Sequence, residues 1–117
     1  MKSFEPWAVV RVPFPYADRP IVQRRPALVL ACPDAVDGLP VLLVAMITSA
    51  AHRRWPNDVV IVDLACAGLP APSLVRCARI TTIDADVVEL LGILGDTERG
   101  HVRSRLRSIL AQVFAEP

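Results

Sequence analysis

The sequence predicts a mainly β domain, a small twisted barrel carrying one C-terminal helix. Three observations predict it. Ten of the eleven prolines fall before residue 73 and cut that stretch into pieces too short for long helices. Between them lie runs of strand length, rich in Val, Ile and Leu. After Asp96 the apolar residues switch to helical spacing.

The first strands are expected over residues 8–12, 27–32, 41–47 and 59–63. Residues 74–83 continue as an extended run, with Leu74, Arg76, Ala78 and Ile80 on one face and Val75, Cys77, Arg79 and Thr81 on the other. Asp37-Gly38 and Gly68-Leu69-Pro70 mark turns. Strands do not alternate with ten-residue helices, which sets a parallel α/β fold aside. Residues 84–91 are read as a short helix, with Asp84 as N-cap and Val87, Val88 and Leu91 facing inward. In the last segment Val102, Leu106, Ile109, Leu110 and Val113 form an apolar stripe, and Arg103, Arg105 and Arg107 fall largely elsewhere. Asp96 is the expected N-cap and Glu98 suits the positive end of the helix dipole, for a helix of about four turns.

At 117 residues, 53% hydrophobic and 21% charged, residues 1–117 read as a single globular domain. The longest apolar run, 41–47, is far short of the roughly 20 residues a membrane-spanning helix needs. Residues 1–6 hold one basic residue and no apolar stretch before Trp7, so no secretion signal is read and a cytoplasmic location is expected. Cys32, Cys66 and Cys77 are odd in number and lack a short paired spacing; with only the distant His52 and His101 to add, no metal site and no cofactor are expected. Buried reduced thiols are the expectation.

A net charge of +1 gives no global nucleic-acid signal. Twelve of the thirteen basic residues are arginine, however, and Arg24-Arg25 and Arg53-Arg54 are adjacent pairs. The planar guanidinium suits phosphate, so these pairs are either a phosphate track or ordinary solvated surface. Val12-Pro13-Phe14-Pro15-Tyr16-Ala17-Asp18 leads through a polar loop to Arg24-Arg25-Pro26-Ala27-Leu28-Val29-Leu30. Pro26 restrains Arg25 to an extended backbone, which gives the guanidinium the limited freedom of a phosphate clamp. Thr48-Ser49 ends the third strand with two hydroxyls, which in that position commonly cap the next turn. His52-Arg53-Arg54-Trp55-Pro56-Asn57-Asp58 follows; Trp55 either stacks on unpaired RNA bases or closes the core.

Taken in order, Val-Pro-Phe-Pro-Tyr, Arg-Arg-Pro-Ala-Leu-Val-Leu, Val-Ala-Met-Ile-Thr-Ser, Trp-Pro-Asn-Asp-Val, Ala-Gly-Leu-Pro-Ala-Pro-Ser-Leu-Val-Arg and Leu-Gly-Ile-Leu resemble the PemK/MazF family of type II toxin–antitoxin systems, from about Trp7 to Leu110. Arg-Pro-Ala followed by Ile-Thr-Ser is the most specific part. The resemblance implies an SH3-like barrel, of the type shared with CcdB, that dimerises and cleaves single-stranded RNA without metal. It implies Arg25 and Thr48 as the catalytic pair. The ribose 2′-hydroxyl would attack phosphorus and leave a 2′,3′-cyclic phosphate and a 5′-hydroxyl. Arg24, Ser49, His52, Arg53, Arg54 and Trp55 are the expected RNA contacts.

Two departures from the family pattern stand out. Trp7-Ala8 replaces the usual Gly-Asp that opens the first strand, and of the Ser-Glu-Gln element only Gln23 is kept. Asp18 and His52 are the candidates for proton transfer in place of that glutamate, His52 because imidazole exchanges protons near neutrality. Two other readings keep the fold: a non-catalytic binding toxin similar to the gyrase-poisoning CcdB toxins, against which Arg25 and Thr48 together argue, and an inactive relative that binds antitoxin or nucleic acid. The expected partners are single-stranded RNA and an antitoxin, with no membrane. An acidic disordered peptide would fit the same arginines.

Overall fold

Side chains alternate across the three central strands, and each face carries its own core. The computed structural model describes residues 4–15, 22–33 and 40–115; Asp18 and the Asp37-Gly38 turn lie outside them. Along β1 (Ala8–Pro15), β2 (Val22–Ala31) and β3 (Val41–Ser49), Val9, Leu28, Ala45 and Ile47 join one buried cluster, while Val10, Val12, Ala27, Val29, Val44 and Met46 join a second. A period of two with both faces buried explains why these runs are almost uninterrupted in apolar residues. Leu28, fully buried, is the kind of residue whose truncation to Ala costs about 2–5 kcal/mol.

β4 (Asp58–Val60), β5 (Ser73–Asp84) and β6 (Glu89–Ile93) complete an antiparallel sheet in the order β4-β5-β3-β2-β1-β6. The architecture is mainly β with a C-terminal helix, as the sequence predicts. Among the described residues β4 and β6 are the two edges and do not pair, so the sheet is not closed. Register shifts between Val9 and Val10, between Val29 and Ala31, and between Ala45 and Met46 interrupt the ladder. Irregularities of this kind bend strands and raise their twist. The last of them carries the pairing from Ala45 with Ile80 to Met46 with Arg76, which breaks the simple two-face alternation expected for β5.

Three expectations are corrected. The helix expected over 84–91 is one 3-10 turn, Ala85–Val87, capped by the Asp84 carboxylate accepting from the Asp86 amide at 2.9 Å; the rest pairs with β1 as β6. Helix α2 runs Asp96–Phe114 with Gly95, not Asp96, as N-cap, and Asp96 and Glu98 in the first turn. Of the cysteines only Cys77 is buried; Cys32 and Cys66 are exposed.

A short helix, α1 (Leu64–Ala67), was not anticipated. The Asp63 carboxylate caps it by accepting from the Cys66 amide at 3.0 Å. It closes at Gly68, whose φ of 72° lies in the left-handed region, with the Leu69 amide donating back to the Leu64 carbonyl at 2.9 Å. A Cβ on Gly68 would stand 2.0 Å from the Leu91 carbonyl oxygen, and one on Gly92 would stand 2.5 Å from the Ala67 carbonyl carbon. The end of α1 and strand β6 therefore meet backbone to backbone. The apolar floor of α2 rests on the first core through buried Val102 and the partly buried Leu106 and Ile109. No helix is long and apolar enough to cross a membrane among the described residues.

Candidate active site

Pro26 pairs with Arg11 across β1 and β2, and Arg25 with Val12, so the Arg24-Arg25 pair is carried by a strand and not by a free loop. β2 and β3 pair as far as Ala27 with Met46, and Arg25 and Thr48 each lie two residues beyond that last pair on their strands. The two side chains line one cavity of about 480 Å³, together with Arg11, Arg24, Ser49 and His52. The segment from Gly68 to Ser73 and Leu91 complete its lining with Pro26 and Ile47.

Within this cavity the Thr48 hydroxyl and His52 Nδ1 are 2.7 Å apart. The hydroxyl donates when Nδ1 is bare and accepts when Nδ1 carries the proton, so the direction of the bond follows the imidazole tautomer. Local chain chemistry fixes this contact. The Ser49 hydroxyl accepts from the Ala51 amide at 3.2 Å and the Ser49 carbonyl from the His52 amide at 3.1 Å, which turns the chain back so that His52 meets Thr48. Ser49 is thus the turn-capping hydroxyl and Thr48 the one turned to the imidazole. The Arg25 guanidinium donates to the Gln23 side-chain carbonyl at 3.3 Å.

Arg53, Arg54 and Trp55 do not line this cavity. They belong to a loop held from below by Arg76, a nearly buried residue of β5. Its guanidinium makes two bonds to the Asp58 carboxylate, at 3.3 and 3.1 Å, and a third to the Arg53 carbonyl at 2.7 Å. The Trp55 ring covers it at 4.2 Å, and the Trp55 amide donates to Asp58 at 2.8 Å. Trp55 therefore neither closes the core nor stands free; it is 42% exposed with Arg76 against its ring. Asn57, at φ 71°, supplies the left-handed turn that lets the loop fold over.

The sequence reading missed Arg11, the wall from Gly68 to Ser73, and the clasp at Arg76. A single arginine inside the apolar run from Leu74 to Cys77 was the available signal for the last, since a charge so placed needs a partner. Among the described residues no group of three His, Cys, Asp or Glu side chains could hold a metal ion.

The model of the PemK-like, MazF-like toxins of type II toxin–antitoxin systems matches residues 5–110. The chain belongs to this family. As a PemK/MazF-type toxin it has the expected structural neighbours, which at this level of identity speak for the fold. MazF of Deinococcus radiodurans superposes with a TM-score of 0.69 at 23% identity, covering 95% of this chain and 99% of that one. An endoribonuclease from a mycobacterial species, solved with its cognate antitoxin, gives 0.69 at 16% identity over 98% and 100%. The Mycobacterium tuberculosis toxin MazF-mt6 gives 0.64 at 24% over 92% and 97%. No curated protein sequence matches the chain.

The first departure from the family pattern now has a physical meaning. Trp7, in place of glycine, has φ 76°, in the left-handed region that favours glycine. Its amide donates to the Val29 carbonyl and its carbonyl accepts from the Leu94 amide, both at 2.9 Å, which holds the backbone there. The indole packs on the first core beneath Arg103 and Arg99, at 5.2 and 5.8 Å. Packing and cation–π contact offset the backbone strain in this toxin.

Proposed function

We propose that this toxin is a sequence-specific endoribonuclease that cleaves single-stranded RNA without metal, through the ribose 2′-hydroxyl. The observation that supports the reading is that Arg25 and Thr48, from separate strands, line one cavity with His52 hydrogen-bonded to Thr48. In the reaction the 2′-oxygen forms a bond to phosphorus while the bond to the 5′-oxygen breaks. The 2′-hydroxyl proton leaves to a base and a proton is delivered to the departing 5′-oxygen. The products are a 2′,3′-cyclic phosphate and a 5′-hydroxyl, and neither a water nucleophile nor a cofactor is consumed.

Arg25 stabilises the charge that builds on the phosphorane. A guanidinium is a poor base, so its contribution is electrostatic, about 3–4 kcal/mol of barrier for one such donor. Thr48 donates to a non-bridging oxygen, and His52, through its contact with Thr48, exchanges the proton. Arg24 and Ser49 hold the strand in the cavity, and the exposed Arg53 and Arg54 extend the cationic track along it. A cognate antitoxin blocks this surface. Structural neighbours include the MazE–MazF complex of Deinococcus radiodurans and the mycobacterial endoribonuclease bound to its antitoxin, which supports such a partner. The working form is a homodimer in the cytoplasm.

Incubating the purified protein with mixed RNA in EDTA tests the reading. Discrete fragments ending in cyclic phosphate are expected, absent with Arg25→Ala and not restored by Arg25→Lys. RNA left intact by the wild type overturns the nuclease reading; full cleavage by Arg25→Ala removes Arg25 from the mechanism.

A further inference from the structure

Beside the Arg25–Thr48 pair the same cavity holds two more cations, Arg11 and Arg24, and both are turned to one carboxylate outside its lining. Arg11 on β1 lies directly opposite Glu89 on β6, and its guanidinium is 3.8 Å from the Glu89 carboxylate. Arg24 on β2 reaches the same Glu89 oxygen at 3.6 Å. All three side chains are about half exposed, and the separations exceed those of tight charge-assisted hydrogen bonds. Exposed pairs of this geometry contribute little to stability, so they exchange partners readily.

We infer that Arg11 and Arg24 form a second phosphate subsite next to the reacting one, and that Glu89 occupies it as an internal anion until a phosphodiester of the RNA strand displaces it. The inference rests on the RNA reading above. Three strands supply the three groups, so their spacing is set by sheet register and not by loop conformation. A phosphodiester offers two non-bridging oxygens to two guanidiniums, where Glu89 now meets both through one oxygen. An isolated small anion gains from only one such subsite, whereas a strand that also fills the Arg25 subsite gains from both. Glu89 therefore acts as a competing anion: it lowers the affinity of this subsite for phosphate, and a strand also anchored at the Arg25 subsite is held well enough to displace it.

The test uses an oligodeoxynucleotide, which lacks the 2′-hydroxyl and stays uncut, titrated against the full chain over a range of salt, with RNA cleavage followed in parallel. Glu89→Gln is expected to tighten binding about threefold or more. Arg11→Ala should weaken it and reduce the slope of log affinity against log salt by about 0.7, the value for one single-strand phosphate contact. In the Arg11→Ala background the gain from Glu89→Gln should shrink. With RNA these changes should appear in KM before they appear in the single-turnover rate at saturation. If the wild type binds and cleaves while Glu89→Gln and Arg11→Ala match it in affinity and salt slope, the subsite is overturned and the nuclease reading stands. If the wild type neither binds the oligomer nor cuts RNA, both fall together.

Discussion

Arg25 on β2 and Thr48 on β3 line one cavity from two adjacent antiparallel strands, each two residues beyond the Ala27–Met46 pair at which the ladder between them ends. Pro26 lies against Arg11 in the ladder and holds Arg25 extended, while the turn at Ser49 sends His52 back onto Thr48. Each side chain is therefore held by its own strand, Arg25 through Val12 of β1 and Thr48 through Leu74 of β5, and a local substitution in one leaves the other in place.

That separation of chemistry from scaffold leads to a first prediction. Thr48→Val keeps the shape of the side chain and removes the hydroxyl, so cleavage should fall by about 10²–10³-fold with no change in melting temperature. Thr48→Ser should retain most of the activity. His52→Gln should lower the single-turnover rate by about 10²–10⁴-fold if the imidazole moves the proton. A Thr48→Val toxin that cleaves at the wild-type rate would show that the hydroxyl is a bystander.

The Arg76–Asp58 pair should govern stability. Their side chains are 8% and 2% exposed, so removing one leaves a desolvated charge. Arg76→Met is expected to cost about 3–5 kcal/mol in urea unfolding, and Arg76→Lys to recover only part, because an ammonium cannot make the two-pronged contact and lie flat on Trp55. Replacing both partners with apolar residues should restore much of the loss. A single variant as stable as the wild type would contradict this account.

At Trp7 two substitutions should separate backbone from side chain. Trp7→Ala and Trp7→Gly both remove the indole, but only glycine relieves the φ of 76°. Trp7→Gly should therefore be the more stable of the two by about 1–2 kcal/mol, the reverse of the usual order at an ordinary strand position. Thermal unfolding of the pair decides it.

Cys77 should impose an alkaline limit on stability. Burial chiefly, with the nearby Asp58 charge, pushes its thiol up to about 11 from an ordinary value of 9.0. In the unfolded chain the thiol ionises first, so the unfolded state holds fewer protons than the native one between these values. The contribution is complete below pH 9, declines as the pH rises and is lost above about 11. Exposed Cys32 is raised as well, by desolvation and then by Glu5, and adds in the same direction. Urea midpoints measured from pH 8 to 11 should fall more steeply for the wild type than for Cys77→Ala.

How legible all this was in the sequence depended on the range of the interactions. β1, β2 and β3 could be read because Val, Ile and Leu in short runs between prolines leave few alternatives. β6 could not, because Val87, Val88 and Leu91 also fit helical spacing; its pairing with β1, some eighty residues earlier, decides the matter. Arg25 and Thr48 were singled out through motif resemblance, and the fold brings both to one cavity. Glu89, Arg11 and the Arg76 clasp depend on side chains meeting across strands, and no local pattern marks such a meeting. The C-terminal helix was legible in its stripe, of which Val102, Leu106 and Ile109 reach the core while Leu110 and Val113 stay exposed; its cap fell one residue early, since Gly95 gives no side-chain signal where Asp96 does.

Gly68 and Gly92 bring the end of α1 against β6 with no side chain between them. Gly68 and Leu91 both line the Arg25 cavity, so this stretch of its wall is held by main-chain packing and not by a side-chain rotamer. Pro70 and Ala71, exposed beside it, can be exchanged to repaint that wall, whereas Leu69 is tied into the core beneath.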